Sequence, residues 1–291
     1  MRNLLKADFY KIFKDKLFLT LCICIGSLSV VVPLIYLGVD RLAQIDGEEV
    51  VHIFGATDLF GVLFSSSSVA GMLIAIFSAI ILNRDFKSGV IRNKLTAGKD
   101  RTTAYLAALI ENLIIGIGFT VAFALIGFVI GLAFLPFSLK ENYTVSTELL
   151  HLFFTLIINI CVLAFHYTLI TFFIYGAHSL ALAIIIPYVV VNICNTYTSF
   201  ASLLAVMKLS ENPESSLIGF KVLEIMNFYG GKEALLSSIL GNNYSVFALT
   251  EGVEYSVFDA YHIVGYTLIP LICAGLLNYL GIVIFRKKDL K

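Results

Sequence analysis

Leu113–Leu135 reads LIIGIGFTVAFALIGFVIGLAFL, a run of 23 residues without a single charge. At 1.5 Å per residue, a helix of this length reaches about 35 Å, enough to cross a hydrocarbon core of about 30 Å. It has no polar face, so it does not read as the half-buried helix of a soluble domain. Blocks of the same kind recur on both sides of it: Leu17–Leu37, Gly61–Leu82, Leu150–Phe173, Ala177–Tyr197 and Val264–Phe285. The whole 291-residue chain is 59% apolar and only 14% charged, where a soluble domain carries about 25% charge. The blocks predict an all-α integral membrane protein with six transmembrane helices. Pro33, Pro187 and Pro270 fall inside spans one, five and six, where neighbouring helices can re-satisfy the freed carbonyls.

The sign of the charges is segregated along this frame. Met1–Lys16, the loop between spans two and three, and the tail after span six hold fifteen of the twenty basic residues. In a six-span chain all three lie on one side, and an excess of Lys and Arg marks the cytoplasm. The expected placement is a multi-pass protein of the plasma membrane with both termini cytoplasmic. The net charge is formally zero, so nothing points to nucleic acid as a partner. Cys22, Cys24, Cys161, Cys194 and Cys273 all lie in or at the end of apolar blocks. No CxxC pair or His/Cys cluster suggests a metal.

Two segments lie outside the spans. In residues 1–16 (MRNLLKADFYKIFKDK), Leu5, Phe9, Ile12 and Phe13 form an apolar stripe at helical spacing, flanked by lysines. This is the pattern of an amphipathic helix lying in the membrane interface, although a solvated basic leader would also obey the orientation rule. Spans five and six are joined by a long outer segment, residues 198–262. Its apolar runs are too short to cross, and it is punctuated by Pro213, Gly230, Gly231 and Gly241. It reads as short re-entrant or surface-lying helices, or else as a small exposed loop domain.

The cytoplasmic loop Asn83–Arg101, NRDFKSGVIRNKLTAGKDR, carries the strongest functional signal. Ser88 is a candidate helix N-cap, Val90, Ile91 and Leu95 give an apolar edge, and Gly98 ends the helix. A short helix tied to two spans can pass force from a cytoplasmic partner into the membrane, or it can be a basic loop with no partner.

This loop resembles the first intracellular coupling loop of permeases in the type-2 ABC transporter superfamily, the group with ABCG-like exporter folds. The matching positions are Asp85, Gly89, Val90, Ile91, Arg92, Asn93, Leu95, Thr96, Gly98 and Arg101, and Phe86 and Lys94 lie within the same segment. Asp85 stands where Glu is common, and Val90 where Thr is common. The N-terminal LLKADFYKIFKDK resembles the connecting helix of such permeases, and the terminal FRKKDLK resembles their basic ending. The resemblance implies the membrane subunit of an ATP-driven exporter working as two permeases with two ATPase subunits. ATP and Mg would be bound by the partner chain, and this chain would have no cofactor of its own. The cargo implied is a bacteriocin or lantibiotic-type peptide, an antibiotic, or another amphipathic molecule, exported for secretion, immunity or resistance.

Other chemistries find no support. Gly98-Lys99 is followed by Asp100, so there is no Walker A loop, and HExxH and G-x-S-x-G are absent. The chain therefore reads as a transport subunit and not an enzyme. Asn159, His166 and Asn192 are the polar residues the spans offer as pathway candidates. A stand-alone secondary transporter or channel is the alternative class.

Overall fold

The computed structural model describes residues 2–43, 55–64, 68–137, 145–190 and 260–287. Among these residues every regular element is a helix. In chain order they are α1 (Arg2–Phe13), α2 (Lys16–Ala43), α3 (Ala56–Phe64), α4 (Val69–Lys87), α5 (Val90–Thr96), α6 (Arg101–Phe134), α7 (Val145–Ala177), α8 (Leu180–Val190) and α9 (Ala260–Lys287). Five runs are long and apolar enough to cross a membrane: Lys16–Arg41, Leu59–Lys87, Arg101–Phe134, Leu152–Ala177 and Thr267–Lys287. By length and composition this is an α-helical membrane protein.

Expected spans one, three, four and six fall within α2, α6, α7 and α9, apart from Leu135 at the end of the third. The second is covered by the end of α3 and most of α4, with 65–67 outside the described residues. For the fifth, Ala177–Tyr197, the description ends at residue 190. The eleven residues of α8 reach only about 17 Å. Residues 198–259 of the outer segment, where re-entrant helices are expected, lie outside the described residues.

The turn between α7 and α8 is short and has a clear local cause. His178 adopts φ 51°, the left-handed conformation that ends a helix, and its N–H reaches Ile174 O at 3.2 Å. Ser179 Oγ then accepts the Leu182 N–H at 3.3 Å, capping the first turn of α8. The two helices leave this turn as neighbours.

Burial sorts the helices into layers. In the apolar part of α7, 72% of residues are buried, against 22% in α2 and in α9, so α7 is central and the other two are peripheral. The outer faces of α2 and α9 expose Leu19, Ile23, Ile35, Leu271, Ile272 and Leu276. Continuous apolar faces of this kind are compatible with lipid and not with water. Inside, Tyr175 of α7 stacks edge-on against Phe86 of α4 (4.7 Å), Tyr105 of α6 (5.3 Å) and Phe285 of α9 (5.1 Å), joining four helices. A buried polar joint lies nearby. Ser78 Oγ donates to Asn112 Oδ1, and Asn112 Nδ2 donates to Tyr167 O at 2.9 Å and Thr171 Oγ1 at 3.0 Å. That arrangement satisfies an amide that would otherwise be stranded among apolar helices.

Close approach of α6 to α7 requires Gly116. A methyl group there would meet the ring of Tyr167, which is almost fully buried, whereas Gly118 has nothing within 4 Å of a methyl position. Gly116→Ala is therefore expected to destabilise the protein by about 1–3 kcal/mol. Gly118→Ala should be neutral or slightly stabilising, because Ala favours helix. Thermal unfolding of the two variants in the same lipid nanodiscs checks the contrast.

Candidate coupling site

The segment 83–101 folds as the end of α4, the short helix α5 and the start of α6. Ser88 is not the N-cap of α5 as the sequence suggests. It closes α4 instead, its Oγ donating to Arg84 O at 2.7 Å. Gly89, at φ 69°, turns the chain into α5, a conformation that costs a side-chain-bearing residue energy. Ala97 and then Gly98, at φ 77°, end α5 as the sequence suggests. Asp100 sits at the N-cap position of α6.

The three basic-rich segments of the sequence meet at one end of the helices. Arg101 donates to Arg286 O at 2.9 Å, and Arg286 Nε donates to Thr102 Oγ1 at 2.8 Å, joining the start of α6 to the end of α9. On the other flank, α1 is held by a network of charged side chains. Lys94 Nζ of α5 lies 2.9 Å from Asp8 of α1 and 3.4 Å from Asp85 of α4. Asp85 also pairs with Lys11 of α1. The Lys94, Asp8 and Asp85 side chains are only 6–8% exposed, so solvent screens them little. Burial works against the Lys94 ammonium. Its hydrogen bond to Asp8 and the negative charges of Asp8, Asp85 and Glu111 outweigh that and hold it above the ordinary lysine value. Further out, Arg84 meets Asp15 at 2.6 Å, and the Asp15 carboxylate also accepts the Leu17 N–H at 3.0 Å. Burial opposes the Asp15 charge, but these bonds prevail and hold the carboxyl below its usual range.

Glu111 of α6 stands behind this network, 3% exposed, and its Oε2 has no hydrogen-bond partner among the described residues. Asp8, Ile12, Asp85 and Glu111 border a cavity of about 10 Å³, room for the centre of one water molecule.

The site residues expected from sequence separate into two groups. Asp85, Ile91 and Lys94 are buried within this chain, and Leu95 packs against the same core. Phe86 is packed between Tyr175, His178 and Phe285. Ile91 and Leu95 therefore serve the chain's own packing. Gly89 and Val90 are half-buried, and Arg92, Asn93 and Thr96 are the side chains α5 exposes. On α1, Ile12 is buried against Ile81 and Ile115 with Phe9 beside it, and Leu5 is half-buried. Phe13 is 66% exposed, although its ring touches Phe18.

Sequence reasoning passed over Asp8 and Glu111. Asp8 falls three residues after Leu5 and four before Ile12, an acid inside an apolar stripe. That position is itself a signal of a buried partner. Glu111 lies ten residues into α6, which begins twelve residues before the span drawn from hydropathy.

The pathway candidates lie elsewhere. Asn159 is buried and donates to Thr155 O of its own helix at 3.0 Å. His166 lines an apolar cavity of about 50 Å³ with Gly71, Ala75, Tyr167, Ala183 and Pro187, between α4, α7 and α8. Its Nδ1 is 3.0 Å from Val162 O, which can only accept, so in the neutral ring Nε2 keeps the lone pair. That Nε2 has no partner among the described residues. Asn192 lies outside the described residues. Among the described residues no group of three or more His, Cys, Asp or Glu is placed to hold a metal ion.

No protein-family model matches the chain, and no curated protein matches it.

Proposed function

We propose that the chain is the membrane-spanning permease subunit of an ATP-driven exporter of the type-2 ABC kind. In this reading it has six spans and cytoplasmic termini in a bacterial plasma membrane, and a separate ATPase chain binds ATP and Mg. The observation that carries the reading is the clamped α5. This seven-residue helix joins α4 to α6 through glycine turns and is tied by buried charges to α1 and α4, yet it presents Arg92, Asn93 and Thr96 outward. A helix held this way cannot shift alone, so a partner that pushes its outer face moves α4, α6 and α1 together. The excess of basic residues at that end supports a cytoplasmic placement. Two permeases and two ATPases would form the working unit. The cargo would be an amphipathic peptide, a bacteriocin or an antibiotic, consistent with the apolar cavity and its single histidine acceptor.

The test is purification of the tagged chain from native membranes. An ATP-hydrolysing subunit should accompany it in equal amount. Arg92→Glu with Asn93→Glu should cut that capture, and export with it, by about tenfold or more, since reversed rim charge misorients a partner. The variant should still insert normally, because both side chains are exposed. Undiminished capture would refute the docking face.

Glu111 favours a second reading, a stand-alone proton-coupled carrier, because a buried acid with an unpartnered oxygen beside a water-sized cavity is what proton movement uses. Cargo flux by the purified chain alone, driven by a proton gradient and abolished in Glu111→Gln, would select it over the exporter.

A further inference from the structure

We infer that the elbow between α1 and α2 binds the headgroup of an anionic phospholipid. α1 ends at Phe13 and α2 begins at Lys16, and the bend opens a recess of about 510 Å³ lined by Lys11, Lys14, Asp15, Lys16, Thr20 and Arg84, with Leu17 beside them. Four cations there face one carboxylate. Two of the four are engaged, Lys11 with Asp85 and Arg84 with Asp15. Lys14 and Lys16 have no acidic partner among the described residues. The Lys14 ammonium rests 4.4 Å from the centre of the Tyr10 ring, a contact that leaves it open to an anion. The recess therefore carries uncompensated positive charge that a phosphate would neutralise.

The surroundings point to a lipid as the source of that phosphate. Lys16, Leu19 and Ile23 follow one another at i, i+3 and i+7, so they share one face of α2. Leu19 and Ile23 are 62% and 63% exposed. An apolar stripe thus begins where the cationic recess ends, as an acyl chain below its headgroup requires. A free anion would use the lysines and leave the stripe idle. The inference rests on the membrane placement of α2 and does not depend on the exporter reading.

The experiment uses native mass spectrometry of the full chain released from bilayers of equal phosphatidylglycerol and phosphatidylcholine. Phosphatidylglycerol should be retained preferentially. Lys14→Gln with Lys16→Gln should lower that preference roughly thirtyfold, from the contribution of two interfacial lysines. Lys287→Gln, an exposed lysine at the end of α9, should leave it unchanged. Leu19→Ser with Ile23→Ser should also weaken retention. Matching thermal unfolding of the variants shows that they are folded. Equal retention of the two lipids, an unchanged preference in the double lysine variant, or displacement of the lipid by soluble glycerol phosphate at equal concentration would overturn the inference. The last result would assign the recess to free anions.

Discussion

Lys94→Met is expected to lower the stability of the protein by about 3–5 kcal/mol. Lys94 is the cation between two buried carboxylates, 2.9 Å from Asp8 and 3.4 Å from Asp85. Asp85 keeps Lys11 when Lys94 is removed, but Asp8 loses its partner. A buried carboxylate without a partner must stay charged at high cost or take up a proton. The loss is thus the penalty of stranding Asp8, and not the net value of the pair. Asp8→Asn combined with Lys94→Met should recover part of it, because a neutral group in that place is cheaper than a lone charge. By contrast, Arg84→Met at the outer pair should cost under about 1 kcal/mol, since Arg84 is 47% exposed and solvent screens its attraction to Asp15. Thermal unfolding of the three variants and the parent protein in one detergent checks the order. A loss under about 1 kcal/mol in Lys94→Met would mean that the network does not hold α1 and α5 in place.

Hydropathy alone located most of the long helices, because an uncharged run of the length of Leu113–Leu135 has few other physical solutions. Their ends were less legible. Hydropathy stops at the first charges, whereas the helix continues as long as its backbone bonds do. Hence α6 begins at Arg101, twelve residues before the apolar run, and carries Glu111 and Asn112 into the buried part of the bundle. The segment 83–101 was legible as a short helix that ends before Gly98, and its position between two spans followed from the apolar blocks on either side of it. Which face it buries was not legible. Val90, Ile91 and Leu95 read as an edge for a partner because they are apolar, but Ile91 and Leu95 pack on this chain's own core. Lys94 is one more basic residue of the loop in the sequence, yet it is buried because Asp8, 86 residues earlier in the chain, and Asp85 receive it. Pairings across such separations leave no periodicity in a single sequence. Local spacing cannot reveal them, except as an acid misplaced in an apolar stripe.

That misplaced acid decides what holds α1, and it sets the last expectation. Ile12→Asp should release α1 from the bundle while leaving the long helices folded. The apolar stripe of the sequence offers Leu5, Phe9, Ile12 and Phe13 as anchors without ranking them. In the fold Phe13 is 66% exposed and Ile12 only 3%, seated against Ile81 of α4 and Ile115 of α6. Removing the Ile12 side chain forfeits on the order of 2 kcal/mol of burial. A carboxylate in its place adds a charge to a cavity already bordered by Asp8, Asp15, Asp85 and Glu111, whose nearby cations Lys11, Arg84 and Lys94 are already engaged. A twelve-residue helix is marginal without its packing, and the added charge also weakens the Asp8–Lys94 and Lys11–Asp85 ties that otherwise hold it. α2, α6, α7 and α9 keep their own packing, so the expected event is local opening and not global unfolding. Hydrogen exchange in nanodiscs reads it directly. Amides of α1 should lose protection by a hundredfold or more, Lys94 and its neighbours in α5 should loosen with them, and the centre of α7 should not change. Phe13→Asp should leave α1 protected nearly as in the parent protein. If instead Phe13→Asp frees α1 and Ile12→Asp does not, α1 is held by lipid contact at its outer face and not by the bundle.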